Sequence, residues 1–101
     1  MEQDLNKFIG IKIRQKRIEL NLTQTKVARA LNITFQQIQK YEKGTNGLSA
    51  NRIHDLSNYF NVPRSYFFEG YEEFKQEFDL NNQRLNIDFL KKLFASLSYE
   101  Y

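Results

Sequence analysis

The segment LTQTKVARALNITFQQIQKYEKG, residues 22–44, decides how this chain is read. Thr23 is a good N-cap for a short helix from Gln24 to Leu31, whose inner stripe is Val27, Ala28 and Leu31. Asn32 stands where a helix-ending residue with positive φ is expected, because Asn tolerates the left-handed region nearly as Gly does. Thr34 then caps a further helix from Phe35 to about Lys43, and Gln37, three residues on, completes a capping box. Ile38 and Tyr41 form its inner side, and Gly44 stops it. Helices this short do not hold alone in water, so their neighbours must supply the packing.

Those neighbours are legible on both sides. From about Asp4 to Leu20, Leu5, Ile9 and Ile13 recur every four residues, while Lys12, Arg14, Lys16 and Glu19 fill other faces. After the polar loop Thr45-Asn46-Gly47, Ser49 caps a fourth helix to about Phe60, with Ile53, Leu56 and Phe60 inward. Asn61-Val62-Pro63 repeats the pattern of Asn32-Ile33-Thr34, a helix stop followed by a helix start. Pro63 suits the first turn of a short fifth helix to about Phe68. Gly70 marks a break. Tyr71 to Phe78 is acidic and aromatic with helical character, Asn81-Asn82 reads as a loop, and Asn86 caps a last helix to about Ser98. The expected fold is all-α: a five-helix domain over residues 1–68 and a C-terminal helical extension over 69–101.

Composition narrows the chemistry. At 101 residues the chain fits one domain, or a small domain with an appendage. It has no cysteine, which excludes disulfides, thiol catalysis and thiolate metal sites, and one histidine, His54, with no nucleophile at a recognisable spacing. The acids Glu69, Glu72, Glu73, Glu77 and Asp79 have no histidine companions for a metal and read as a solvated face. An enzyme, a metal site and a cofactor are therefore not expected. No apolar run approaches the roughly 20 residues of a membrane span. Met1 to Asp4 carries two acids and no apolar stretch, unlike a secretory signal, so a cytoplasmic location is expected.

The net charge of +3 is unevenly spread. Residues 1–68 hold eleven Lys/Arg against five Asp/Glu, a net +6; residues 69–101 hold four against seven, a net −3. Such asymmetry points to a polyanion as the partner of the first part.

Two short helices joined by a tight turn within a compact helical domain are the geometry of the helix-turn-helix. Small Ala28 lets one helix cross close over the other, and Ile33 and Ile38 plug the corner between them. At these residues the sequence resembles the phage-repressor and Cro-like, or XRE-type, helix-turn-helix family. The resemblance runs from Ile9 to Phe68. It rests on Lys16-Arg17-Ile18, Leu22-Thr23-Gln24, Val27-Ala28, Leu31 to Thr34, Ile38, Tyr41 to Gly44, and Leu56 through Val62-Pro63. Two departures stand out: Asn32 and Asn61 replace a common Gly, and Phe35 begins the third helix where many relatives carry a polar residue.

The resemblance implies a regulator that binds double-stranded DNA, with the helix Phe35–Lys43 in the major groove. With Ile38 and Tyr41 inward, 100° per residue turns Gln36, Lys40 and Lys43 outward. Gln suits bidentate contact with adenine, and Lys suits guanine or phosphate. Gln36, Gln37 and Lys40 are the expected base readers, and Phe35 is a further one that would press on a thymine methyl. Phosphate contacts are expected from Thr23 and Gln24 at a helix N-terminus, from Gln39 and Lys43, from Thr45 and Asn46 in the following loop, and from Asn51. Lys12, Arg14 and Lys16 are weaker candidates. The resemblance also implies a structural ion pair between Arg17 and Glu42.

The extension is too rich in Phe, Tyr and Leu for a disordered tail; twelve of the fifteen aromatics lie between Tyr59 and Tyr101. Either Tyr71, Phe74, Phe78 and the last helix fold back on the first domain, or the stripe Ile87, Leu90, Leu93, Phe94 and Leu97 packs against a second copy. A homodimer on a palindromic operator is the favoured expectation, because small DNA readers gain affinity from two half-sites. The competing reading is an antitoxin-like or other protein-binding module whose aromatic end captures a further protein partner.

Overall fold

The computed structural model of the chain describes the backbone of residues 2–80 and the side chains of residues 4–76. Every described element is helical: α1 (Glu2–Glu19), α2 (Gln24–Leu31), α3 (Phe35–Lys43), α4 (Ala50–Phe60), a 3₁₀ helix (Arg64–Phe68) and α5 (Tyr71–Leu80). They fall into two compact units, divided between Glu69 and Gly70. The fold class is all-α, as the helical periodicities imply.

Local chemistry explains where each helix begins. Thr23, Thr34 and Ser49 sit in extended conformation, and each side-chain oxygen accepts a hydrogen bond from the backbone N–H three residues on, at Lys26, Gln37 and Arg52, all at 3.1 Å. Helix ends share one device as well. Asn21, Asn32 and Asn61 adopt left-handed φ values of 58–59°. The next residue in each case donates its N–H back into the last turn: Leu22 to the Arg17 carbonyl, Ile33 to Ala28 and Val62 to Ser57, at 2.9–3.0 Å. This is the Schellman arrangement, which satisfies carbonyls that would otherwise end the helix unpaired. Leu22, Ile33 and Val62 also pack against the core, so each stop doubles as a hydrophobic clamp. Gly44 closes α3 in the same way at φ 76°, with the Thr45 N–H on the Lys40 carbonyl.

Two elements differ from the sequence reading. The fifth helix is 3₁₀ rather than α: Pro63 is its extended cap, not a member of its first turn, and Tyr66 bonds three residues back to the Pro63 carbonyl. Six residues between Pro63 and the Gly70 break leave little room for an α-helical ladder, and the tighter turn buries Phe67 completely. The first helix starts at Glu2, two residues earlier than expected.

The core of the first unit draws on every helix around α2–α3: Ile9 and Ile13 from α1, Val27, Ala28 and Leu31 from α2, Ile38 and Tyr41 from α3, Leu56 and Phe60 from α4, and Phe67. Phe8 is also fully buried, which widens the α1 stripe beyond the expected Leu5-Ile9-Ile13 row. Gly10 explains how closely α1 meets the end of α3. A Cβ there would run into the Tyr41 carbonyl oxygen and lie 2.6 Å from that of Glu42. Gly44 is doubly required, by its positive φ and because a Cβ would stand 2.6 Å from the Lys7 Cα. In the second unit, α5 starts after Gly70 at φ 90°, with the Phe74 N–H on the Gly70 carbonyl. The stripe Ile87, Leu90, Leu93, Phe94 and Leu97 lies outside the described residues.

Candidate nucleic-acid interface

The tight turn Asn32–Thr34 sets α3 across α2, and burial of Ile38 and Tyr41 fixes which side of α3 faces out. Phe35, Gln36, Lys40 and Lys43 are exposed, and Gln37 and Gln39 are half-buried at the margins of that face. Gln37 leans toward α4, where it lines a shallow hollow with Ile33, Thr34, Tyr41 and Arg52. Its backbone N–H engages Thr34, the expected first half of the capping box.

Around α3 the expected phosphate-contacting residues divide by their present bonds. Thr23 is exposed, at the positive end of α2. Gln24 is half-buried and its Nε2 donates to Glu42 Oε1 at 3.0 Å. Thr45 is exposed and its hydroxyl donates to the Lys40 carbonyl at 3.2 Å, extending the α3 cap. Asn46 is half-buried beside it, and Asn51 is exposed in the first turn of α4. Acids are scarce on this side: Glu42, the one carboxylate of α3, is turned inward, its side chain only 3% exposed.

Glu42 is the hub that joins three helices. Arg17 Nε donates to its Oε2 at 2.6 Å and Arg17 Nη2 to its Oε1 at 3.1 Å, a two-pronged pair in which the fork of the guanidinium matches the carboxylate. Arg17 Nη1 adds a bond to the Leu22 carbonyl at 3.0 Å. The end of α1, the turn into α2, the first residue of α2 and the end of α3 are thereby tied at one point. The Arg17–Glu42 pair was legible in the family pattern. The Gln24 link was not, since nothing in the spacing of Gln24 and Glu42 announces a bond between them.

Lys12, one of the basic candidates, is not on a solvated face. Lys12 belongs to the packed interior, 7% exposed, with its Nζ 4.2 Å from the Tyr66 ring centroid and 5.9 Å from that of Phe8. Burial lowers its pKa, against the opposing pull of Glu69 and with a smaller push from Lys16. A lysine on the α1 stripe buries its long stem and finds an aromatic face for its charge, which periodicity cannot tell from a solvated lysine. Lys16 is engaged as well, 2.6 Å from Glu19 and 5.1 Å from the Tyr66 ring, while Arg14 is exposed. Sequence reasoning also missed Arg52, whose Nη1 donates to the Leu31 carbonyl at 3.2 Å and so ties α4 to the α2–α3 turn. His54 is an exposed residue of α4 beside Asn58 and Arg64. Among the described residues, no group of three or more His, Cys, Asp or Glu is placed to hold a metal ion, and no helix is long and apolar enough to cross a membrane.

With this geometry in view, comparison with known families is decisive: residues 13–67, from the middle of α1 to the 3₁₀ helix, match the helix-turn-helix family model. The chain belongs to the helix-turn-helix family, in its phage-repressor-like, XRE-type branch. A protein of Sinorhizobium medicae named as an HTH-type transcriptional regulator is 52% identical over 61 residues, covering 60% of this chain and 44% of the relative. A protein of Rhodospirillum rubrum, named as a transcriptional regulator in the ATPase CF(0) region, is 45% identical over 63% of this chain and 59% of its own length. A Rickettsia conorii HTH-type regulator is 38% identical over 70% of this chain and 57% of its own. The chain thus spans about half the length of the curated relatives it matches. The family match of this helix-turn-helix protein takes in α2, α3 and α4 whole.

Proposed function

We propose that the chain is a sequence-specific, double-stranded-DNA-binding transcriptional regulator that engages a palindromic operator as a homodimer, with α3 in the major groove. The observation that carries this reading is the two-sidedness of α3: Ile38, Tyr41 and Glu42 lock one side into the domain, while Gln36, Lys40 and Lys43 stand exposed on the other. Gln36 and Lys40 read base edges, with Gln37 and Phe35 beside them; Gln offers the paired donor and acceptor that adenine presents, and Lys a donor for guanine. Thr23, Gln24, Gln39, Lys43, Thr45, Asn46 and Asn51 position the domain on phosphates. A carboxamide carries two N–H donors, so the Gln24 bond to Glu42 leaves a second donor for a phosphate. The regulator names of the relatives support the same reading. The apolar stripe from Ile87 to Leu97 is the dimer contact in this reading, and sedimentation that finds only monomers at micromolar concentration overturns it.

The test of the groove assignment is the double variant Gln36→Ala, Lys40→Ala, compared with the unaltered chain in selection of duplexes from a random pool. The variant loses its preferred site and keeps weak, strongly salt-dependent binding from the phosphate contacts. Selection of the same consensus by both proteins refutes the assigned surface.

A further inference from the structure

Phe35 lies outside the core cluster of the domain. It is 40% exposed, and it is the one exposed large apolar side chain of α3. The inner stripe of this helix is complete without it, in Ile38 and Tyr41. Its position is firmly set: Phe35 is the first residue of α3, directly after a Thr34 cap whose hydroxyl oxygen accepts from the Gln37 N–H. A recognition helix presents its N-terminal residues to the base edges, so in the proposed complex this ring lies where base contact is made. Its exposed neighbours on α3, Gln36, Lys40 and Lys43, suit nucleic acid better than an apolar protein surface.

A phenylalanine ring has no conventional hydrogen-bond donor or acceptor and cannot read the hydrogen-bond code of the groove. The apolar feature that a base pair shows there is the C5-methyl group of thymine. A 5-methylcytosine carries the same methyl on the same ring carbon. We propose that Phe35 makes this chain a reader of a 5-methylpyrimidine: one step in each half-site places a C5-methyl against the Phe35 ring, and loss of that methyl alone weakens binding. The inference rests on the placement of α3 in the major groove and adds the chemical group recognised at its leading end.

The test uses the full chain and the duplex that it selects from a random pool. Each thymine of the consensus is replaced singly by uracil, which removes the C5-methyl and leaves the pairing edge unchanged. One thymine per half-site gives a loss of about fourfold in affinity, the scale of one buried methyl group. At that step cytosine binds weakly, and 5-methylcytosine recovers affinity relative to it. Phe35→Ala, whose circular dichroism and melting match the unaltered chain, binds the thymine and uracil duplexes equally. The proposal is overturned if every uracil duplex binds the unaltered chain as tightly as the thymine duplex, or if the uracil penalty persists in Phe35→Ala. A selection that yields no consensus has a separate meaning: the groove placement itself fails, and this inference falls with it.

Discussion

Replacing Glu42 by alanine tests whether the three-helix junction holds the domain together. The carboxylate accepts three hydrogen bonds, two from Arg17 and one from Gln24, and its side chain is 3% exposed while that of Arg17 is 12% exposed. Glu42→Ala leaves the guanidinium largely enclosed, with its Nη1 still bonded to the Leu22 carbonyl. Removing one member of a buried, hydrogen-bonded pair costs about 3–5 kcal/mol. Some water reaches Arg17, so the low end, about 3 kcal/mol, is expected. A domain of this size loses about 4–8 °C in Tm per kcal/mol, which puts the fall at roughly 12–24 °C in a thermal melt followed by circular dichroism. Arg17→Ala costs at least as much, because it strands a carboxylate that is more deeply enclosed. The double variant Arg17→Met, Glu42→Leu recovers much of the loss, since a packed apolar pair leaves no buried charge without a partner. A Glu42→Ala Tm within 3 °C of the unaltered chain refutes the reasoning, as does a double variant whose loss equals the sum of the two single losses.

Gly10→Ala gains about 1 kcal/mol of helix propensity but drives a methyl into the Tyr41 and Glu42 carbonyl oxygens. The first of these is held by the Gly44 N–H, so the overpacking cost of about 1–3 kcal/mol wins and the Tm falls; an unchanged or higher Tm counts against the close approach. Tyr66→Phe alters stability in alkali. Burial first, then the carboxylates of Glu19 and Glu69, push the Tyr66 phenol above its ordinary value of 10.0. The folded chain therefore holds that proton more tightly than the unfolded chain, and the stability this confers is complete below pH 10 and lost as pH rises above it. Lys12, with its folded pKa lowered from 10.5, pulls the opposite way in both proteins. Denaturant midpoints at pH 9 and pH 11 should drop further for the unaltered chain than for Tyr66→Phe; parallel drops disprove the phenol's part.

Much of the fold was legible because its signals are local. A cap is a contact between residues three apart, and a left-handed stop concerns a single φ. Thr23, Thr34, Ser49, Asn32, Gly44 and Asn61 accordingly mark the bounds of α2, α3 and α4 where the structure has them. The outer face of α3 was legible for a related reason: once Ile38 and Tyr41 are inward, helical geometry alone turns Gln36 and Lys40 out. Periodicity was less informative in α1. It recorded Leu5, Ile9 and Ile13 as the stripe and passed over Phe8, Gly10 and Lys12, which are also buried. A long helix packed against both α3 and the 3₁₀ helix is covered over a wider arc than one row of apolar residues suggests.

Spacing and capping chemistry therefore determined, without any tertiary information, that this is an all-α chain with a short helix pair at its centre and a polar face on the second helix. Tertiary structure alone decided how the pair is held. Gln24 meets Glu42 across 18 residues, Arg52 meets the Leu31 carbonyl across 21, and Lys12 meets the Tyr66 ring across 54. Each of these contacts joins groups whose separation along the chain carries no period, so no repeat or spacing encodes them. They exist because α1, α4 and the 3₁₀ helix close around a core that brings distant polar groups within bonding distance, in surroundings with too little water to leave them unpaired.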